Sequence, residues 1–161
     1  MVQILDRPRD TGPQSGAAKK RVRPVILGTL AVRVHPNAER VALESALEAG
    51  VPLIIANMIA MPPYPATMTL APEYATLPHE EALDAVRETA ARAAALGIMT
   101  ELLRISSRHP VRSLLDLVKA RDAGLLVFGP DLKGTSRLRF RLAARIVRKN
   151  APCLVWVAPD G

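Results

Sequence analysis

The feature that most constrains the fold of this chain is a regular alternation of short apolar runs with amphipathic segments. The apolar runs have the length of β-strands, and the segments between them have helical periodicity. The pattern predicts strands at residues 24–32, 51–59, 98–105, 125–129 and 153–159, and helices at 38–49, 79–97, 109–124 and 136–150. Such an alternation favours βαβ crossovers, and therefore one open parallel α/β sheet with helices on both faces.

Several residues set the predicted limits of these elements. Asn37 is a typical N-cap for the first helix, and Gly50 and Gly97 are typical of the ends of the first two helices. The second strand, "VPLIIANMI", is apolar on both faces, as expected for a covered parallel strand. The third, "IMTELLRI", is more polar, which favours a place near an edge of the sheet. Residues 60–78 are predicted to form a long proline-rich loop of the kind that often serves as a lid or contact surface.

The composition favours a single domain in a reducing environment. The chain has 161 residues and only 3% aromatic residues, so Leu, Val, Ile and Ala must fill the core. Its one cysteine, Cys153, allows no internal disulfide. We expect no membrane insertion and a cytoplasmic location, because the sequence has neither a membrane-spanning apolar run nor a signal-peptide pattern.

The net charge of +7 is concentrated in two segments. Residues 1–23 contain six Arg or Lys and two Asp, and residues 137–149 contain six Arg or Lys and no acid. We interpret residues 1–22 as a flexible basic tail and residues 23–161 as the folded domain. The tail could contact an anionic surface, or it could only keep the protein soluble.

The stretch "GPDLKGTS", residues 129–136, resembles a phosphate-binding loop but departs from its pattern. A P-loop places lysine directly after its second glycine, whereas Lys133 precedes Gly134. Glycines that lead into a helix can still hold an anion on backbone N–H groups. The candidate anion-binding residues are Gly129, Lys133, Gly134, Thr135 and Ser136. The alternative is a plain strand-to-helix connection in which Thr135 or Ser136 caps the helix.

Three further features of the sequence carry a family resemblance. From residue 24 to residue 159 the chain resembles the universal stress protein family, on the evidence of "AGLLVFG" before the glycine stretch, "NAPCLVWV" at the end and the proline-rich loop after the second strand. The resemblance implies a five-stranded sheet of order 3-2-1-4-5, similar to the adenine nucleotide alpha hydrolases. It also implies a homodimer through the last strand, whose edge residues here are Leu154, Val155, Trp156 and Val157.

The nucleotide-binding members of that family carry a motif of Gly, two residues, Gly, nine residues and Gly-Ser/Thr. In this chain Gly129 matches the first position, but the second position is Leu132 and the closing pair falls on Arg141 and Leu142. The family's acidic residue at the end of the first strand is also missing from "ILGTLAVRV". We therefore expect no standard ATP site and no cofactor, with ATP or AMP in an altered loop as the alternative.

No arrangement of residues typical of catalysis is present in the sequence. His35, His79 and His109 each adjoin a proline and are far apart, so we expect no metal site. Cys153 has no neighbouring base, and Asp131 is a typical turn residue. We therefore expect a binding protein and not an enzyme, with weak ATP hydrolysis left open.

The last helix is the other candidate site. Its apolar residues Leu138, Leu142, Ile146 and Val147 are predicted to face the sheet, which would leave the arginines exposed. The candidate surface for an anionic or protein partner comprises Arg137, Arg141, Arg145 and Arg148. Nucleic acid is not expected as the partner because stacking aromatic residues are nearly absent. A solvated helix face is the alternative reading of the same pattern.

The sequence thus leaves three hypotheses. The first is a dimeric regulatory domain in stress response that does not use the standard ATP site. The second is a nucleotide-binding domain with an altered phosphate loop at 129–136. The third is an anion- or nucleic-acid-binding module that uses the arginine-rich last helix, and it predicts salt-sensitive binding to nucleic acid or acidic lipid.

Overall fold

A computed structural model of the chain describes residues 22–61, 77–131, 133 and 136–159, with side chains of 77–81 left out. The predicted tail up to residue 21 and residues 62–76 of the predicted proline-rich loop lie outside this part, as do Gly134 and Thr135 of the candidate anion site. None of the helices in the described part is long and apolar enough to cross a membrane.

The described elements follow the predicted alternation. They are β1 Val25–Thr29, α1 Pro36–Ala49, β2 Leu53–Ala60, α2 Leu77–Ala95, β3 Thr100–Ser107, α3 Pro110–Ala120, β4 Leu125–Phe128, α4 Arg137–Asn150 and β5 Leu154–Val157. The strands form one parallel sheet of order β3-β2-β1-β4-β5, as predicted. The more polar β3 lies at one edge, as expected, and β5 lies at the other.

The helices cover the two faces of the sheet in pairs. α1 and α2 enclose one apolar cluster with residues such as Leu27 and Ile55, and α3 and α4 enclose the other with residues such as Ile26 and Phe128. Successive side chains of a strand point to opposite faces, so the doubly apolar strands β1, β2 and β4 contribute to both clusters. A central strand buried on both faces explains why β1 contains no exposed residue.

The helix limits differ from the prediction by a few residues, and the start of α1 shows a physical reason. Helix α1 begins at Pro36, and its N-cap is His35, whose ring Nδ1 accepts a hydrogen bond of 3.2 Å from the N–H of Asn37. Proline is favourable in the first helical turn because it has no N–H to satisfy, so the helix begins earlier than the Asn37 cap predicted. Gly50 and Gly97 follow the ends of α1 and α2 with positive φ, as predicted.

The orientation of α4 corrects a second prediction. Its buried residues are Phe140, Ala143, Ala144 and Val147. Val147 faces the sheet as predicted, but Leu138, Leu142 and Ile146 are 78%, 59% and 38% exposed. Phe140 stacks on Phe128 of β4 with ring centroids 5.8 Å apart, and the two alanines let the helix approach the sheet closely. The helix therefore presents three large apolar side chains among its arginines.

Candidate functional site

The candidate site lies where the order of the strands reverses. From β1 the chain adds β2 and then β3 on one side of β1, and it then returns to add β4 and β5 on the other side. The switch point therefore lies between β1 and β4. Ligands of open parallel sheets lie outside the carboxyl ends of the strands at such a point. The described segments that border it here are residues 30–35, after β1, and residues 129–131, after β4.

Two buried polar side chains shape the segment after β1. Thr29 is fully buried, and its hydroxyl donates a hydrogen bond of 2.7 Å to the carbonyl of Val32. Asn57, its partner in β2, is 2% exposed and accepts a hydrogen bond of 3.2 Å from the N–H of Ala31. Ala31 has a φ of 52°, in the left-handed region that alanine rarely adopts. Both polar residues thus stabilise a tight reversal of the chain.

The sequence analysis did not single out either of these residues. Asn57 lies inside a run that otherwise reads as a purely apolar buried strand, and Thr29 lies inside the first predicted strand. A buried amide must find partners to offset its lost hydration, so a lone Asn in such a strand is the signal that could have identified the turn.

After this reversal, the chain pairs with the segment that follows β4. Val34 and Pro130 form an antiparallel bridge. The N–H of His35 donates to the carbonyl of Gly129 at 2.8 Å, and the N–H of Asp131 donates to the carbonyl of Arg33 at 2.7 Å. We call residues 33–35 and 129–131, joined in this way, the loop latch. The loop latch ties together the two segments that border the switch point.

Gly129 is in close contact with helix α1. A Cβ atom added at this position would lie 2.0 Å from Cβ of Ala38, a separation that real side chains do not adopt. Ala38 is itself fully buried in the first turn of α1. The structure therefore gives Gly129 a packing role, because only glycine allows α1 to approach the end of β4 so closely.

Three backbone N–H groups of the glycine stretch, all in described residues, donate to acceptors within the protein. The N–H of Gly129 donates to the carbonyl of Gly28 at 3.2 Å, and that of Lys133 donates to the carboxylate of Asp131 at 3.1 Å. The N–H of Asp131 belongs to the loop latch, and Pro130 has none. A phosphate loop needs such donors free to face its ligand.

Some anion-binding capacity remains at the start of α4. Ser136 occupies the N-cap position, but its side chain makes no capping hydrogen bond. The first turn of α4 contains no acidic residue, and the side chain of Lys133 is exposed nearby in sequence. Helix N-termini favour anions through their free N–H groups and the helix dipole. Gly134 and Thr135, the other members of the predicted anion site, stay predictions.

The predicted arginine surface lies along one exposed helix. Arg137, Arg141, Arg145 and Arg148 are all exposed. Arg141 and Arg148 lie on the side of α4 that faces β5, where they border a depression of 360 Å³ together with Val157, Ala158 and Pro159. Arg145 lies farther from this depression, so the four arginines do not converge on a single point.

The predicted dimer edge is an open strand. β5 pairs only with β4, and its outer edge has no partner within the described residues. Leu154 is 75% exposed, and Val155, Trp156 and Val157 are half-buried. No charged side chain lies within β5, whereas the opposite edge strand β3 contains Glu101 and Arg104. Charges on an edge strand oppose pairing with another chain, so β5 is the more favourable edge for association.

The remaining reactive residues form no further centre. Cys153 is half-buried, and burial raises the pKa of its thiol, so the sulfur stays protonated at neutral pH. His35 caps α1 and His109 precedes α3, and His79 has no described side chain. Within the described residues, no group of three or more His, Cys, Asp or Glu side chains is placed to hold a metal ion.

The packing role of Gly129 gives a direct test. We expect Gly129→Ala to destabilise the protein by at least about 1–3 kcal/mol, because the new methyl group overlaps Ala38. Ala38→Gly alone costs about 1 kcal/mol of helix propensity. In the double variant, Ala38→Gly removes the overlap, so it should be more stable than Gly129→Ala alone in urea unfolding. Simple additivity of the two losses would contradict the packing role.

Comparison with known proteins agrees with this geometry. The model of the universal stress protein family matches residues 23–159. A universal stress protein from Lactobacillus plantarum superposes with a TM-score of 0.66 at 19% identity, over 86% of this chain and 99% of that one. No curated protein matches the chain.

Two of the similar structures contain nucleotides. A universal stress protein in complex with cAMP has a TM-score of 0.61 at 22% identity, over 88% of this chain and 99% of that one. A universal stress protein from Archaeoglobus fulgidus in complex with dAMP has a TM-score of 0.55 at 20% identity, over 85% and 98% of the two chains. Identities this low establish the shared fold, and the family match extends over nearly the whole chain. The chain belongs to the universal stress protein family.

Proposed function

We propose that this protein is a regulatory binding domain of stress response that does not use the standard ATP site of its family. The observation that carries the proposal is that backbone N–H groups after β4 already form hydrogen bonds within the protein. The N–H groups of Gly129, Asp131 and Lys133 all donate to acceptors inside the protein. A triphosphate would have to break these hydrogen bonds before it could use the same donors.

The packing around Gly129 supports the same proposal. In a phosphate loop, glycine leaves room for the ligand, but here that room is filled by Ala38 of α1. The end of β1 supports it as well. Thr29 occupies the last position of the strand and donates its hydroxyl to Val32, where the family's nucleotide-binding members are expected to carry an acid.

The alternative is nucleotide binding in an altered loop. It is favoured by the uncapped start of α4 at Ser136 and by the exposed Lys133. The complexes of similar proteins with cAMP and dAMP make an adenine nucleotide the first ligand to test. Such a nucleotide would have to draw its phosphate contacts from α4 and from the side chain of Lys133.

Calorimetric titration separates the two candidates. The protein is first stripped of nucleotide and then titrated with magnesium-ATP, AMP and cAMP. We expect no heat of binding up to millimolar ligand, because the backbone donors are engaged. Micromolar binding that is lost in Lys133→Ala and kept in Lys119→Ala, an exposed lysine on α3, would contradict the proposal and establish the altered loop.

We further propose that the domain acts as a homodimer joined through β5. The strand offers an unpaired edge without charges, and Leu154 and Trp156 lie on the face of the sheet that carries α1 and α2. Two copies of β5 can pair antiparallel around a two-fold axis, so that residue i of one copy meets residue j of the other and residue j meets residue i. The pairing would cover Leu154, which is 75% exposed in the monomer.

Light scattering after size exclusion tests the dimer. We expect twice the mass of the chain for the wild type and a single chain mass for Leu154→Arg, because a buried unpaired charge opposes association. Met99→Arg is the matched control, since Met99 is 77% exposed at the opposite edge of the sheet and should leave the dimer intact. A monomeric wild type at high concentration would contradict the proposal.

A further inference from the structure

The two helical layers of this protein differ strongly in charge. Helices α1 and α2 contain seven acidic and three basic residues, whereas α3 and α4 contain one acidic and eight basic residues. The cations of the first layer are neutralised locally: Arg40 pairs with Glu44, Arg87 with Asp84, and Arg92 with Glu39 and Glu88. The charge of the protein is therefore segregated across the sheet, with the basic side on α3 and α4.

Several cations on the basic side are not neutralised in the same way. Among the ion pairs of the described residues, none involves Arg108, Arg112, Arg139, Arg145, Arg148 or Lys149. Arg108 and Arg112 border a depression of 350 Å³ beside Ile146, so the start of α3 adds two cations to the surface of α4. These charges are available to an anionic partner and produce a positive potential over the whole layer.

The same surface carries the exposed apolar residues of α4. Leu138 and Leu142 lie on the side of the helix opposite the buried Phe140, and they are 78% and 59% exposed. Ile146, at 38%, continues the row towards α3. By helical geometry, Arg139, Arg145 and Lys149 project from the same side of α4 as these three apolar residues. We call Leu138, Leu142 and Ile146 the apolar ridge of α4.

We propose that the apolar ridge and its flanking cations bind the surface of an anionic lipid bilayer. A helix that presents leucines outward between Lys and Arg residues is the arrangement by which proteins lie in the interface of a membrane. The leucines enter the boundary of the acyl chains while the cations contact anionic headgroups, and each cation near the surface contributes to binding. The binding is peripheral, because none of the described helices is long and apolar enough to cross the bilayer.

Other anionic partners fit this surface less well. Phosphates of nucleic acid would use the arginines but leave the leucines in water. An amphipathic peptide helix binds in an apolar groove, whereas the apolar ridge is the convex, exposed surface of a helix. The depression that Arg108 and Arg112 border beside the ridge includes a single residue of α4, Ile146.

The proposed dimer would strengthen this interaction. Antiparallel pairing of β5 places the two-fold axis perpendicular to the sheet, so both α4 helices lie on the same face of the assembly. Two ridges on one face bind a vesicle together and gain avidity. A monomer carries the same ridge, so the membrane proposal does not depend on the dimer.

Co-sedimentation with vesicles tests the proposal. The full chain is mixed with vesicles of phosphatidylcholine alone, or of phosphatidylcholine with phosphatidylglycerol, at low and high salt. We expect partition only onto the vesicles that contain phosphatidylglycerol, with a marked loss in high salt. The double substitution Leu138→Ser and Leu142→Ser should lower the partition coefficient by about tenfold or more, since two leucines lose their burial.

Matched variants distinguish the contribution of the apolar ridge and its cations from the general effect of losing an exposed apolar or charged side chain. Met99→Ser replaces a residue as exposed as Leu138, outside α4, and should leave partition unchanged. Arg145→Gln with Lys149→Gln should lower partition onto the anionic vesicles, whereas Arg40→Gln with Arg87→Gln, on the other layer, should not. All of these side chains are exposed, so the thermal midpoint should stay near that of the wild type.

Two results would overturn the proposal. One is the absence of partition onto anionic vesicles at low salt by the folded wild type. The other is binding that the leucine substitutions leave intact and that double-stranded DNA competes away. In that case the cations bind a polyanion such as nucleic acid, and the apolar ridge does not contribute to binding.

Discussion

The contact between Gly129 and Ala38 is the constraint on which the candidate site depends. It sets how closely α1 approaches the end of β4, and the loop latch beside it fixes residues 33–35 against residues 129–131. His35 takes part in both, because its N–H belongs to the latch and its ring caps α1. A larger residue at position 129 would therefore disturb both the start of α1 and the hydrogen bonds of the loop latch.

This constraint explains how one fold can retain its architecture and change its ligand chemistry. The strand order and both helical layers depend on apolar burial in β1, β2 and β4, which the carboxyl-end loops do not alter. Ligand binding depends on a few backbone donors at that end of the sheet. Of the donors described there, the N–H of Asp131 belongs to the latch, and those of Gly129 and Lys133 bond to Gly28 and Asp131. The surfaces that we propose for function are therefore β5 and the basic layer.

The strand order and the element types could be predicted because they follow from local periodicity and a family resemblance. The face of α4 could not, because the helix carries two apolar stripes of helical spacing. The stripe of Leu138, Leu142 and Ile146 is the more apolar one, but Phe140 with its neighbouring alanines fits the sheet through its stacking on Phe128. The role of Gly129 was equally hidden, since its contact with Ala38 joins residues far apart in sequence.

In the described residues of this universal stress protein, packing and internal hydrogen bonds hold residues 33–35 against residues 129–131. Amide NMR spectra recorded during a titration with magnesium-ATP test it most directly. The account predicts that the amide signals of Gly129, Asp131 and His35 keep their positions and their slow hydrogen exchange, since all three N–H groups are bonded internally. Saturable shifts of these signals, with loss of their protection, would show that the latch opens for a nucleotide and would contradict the account.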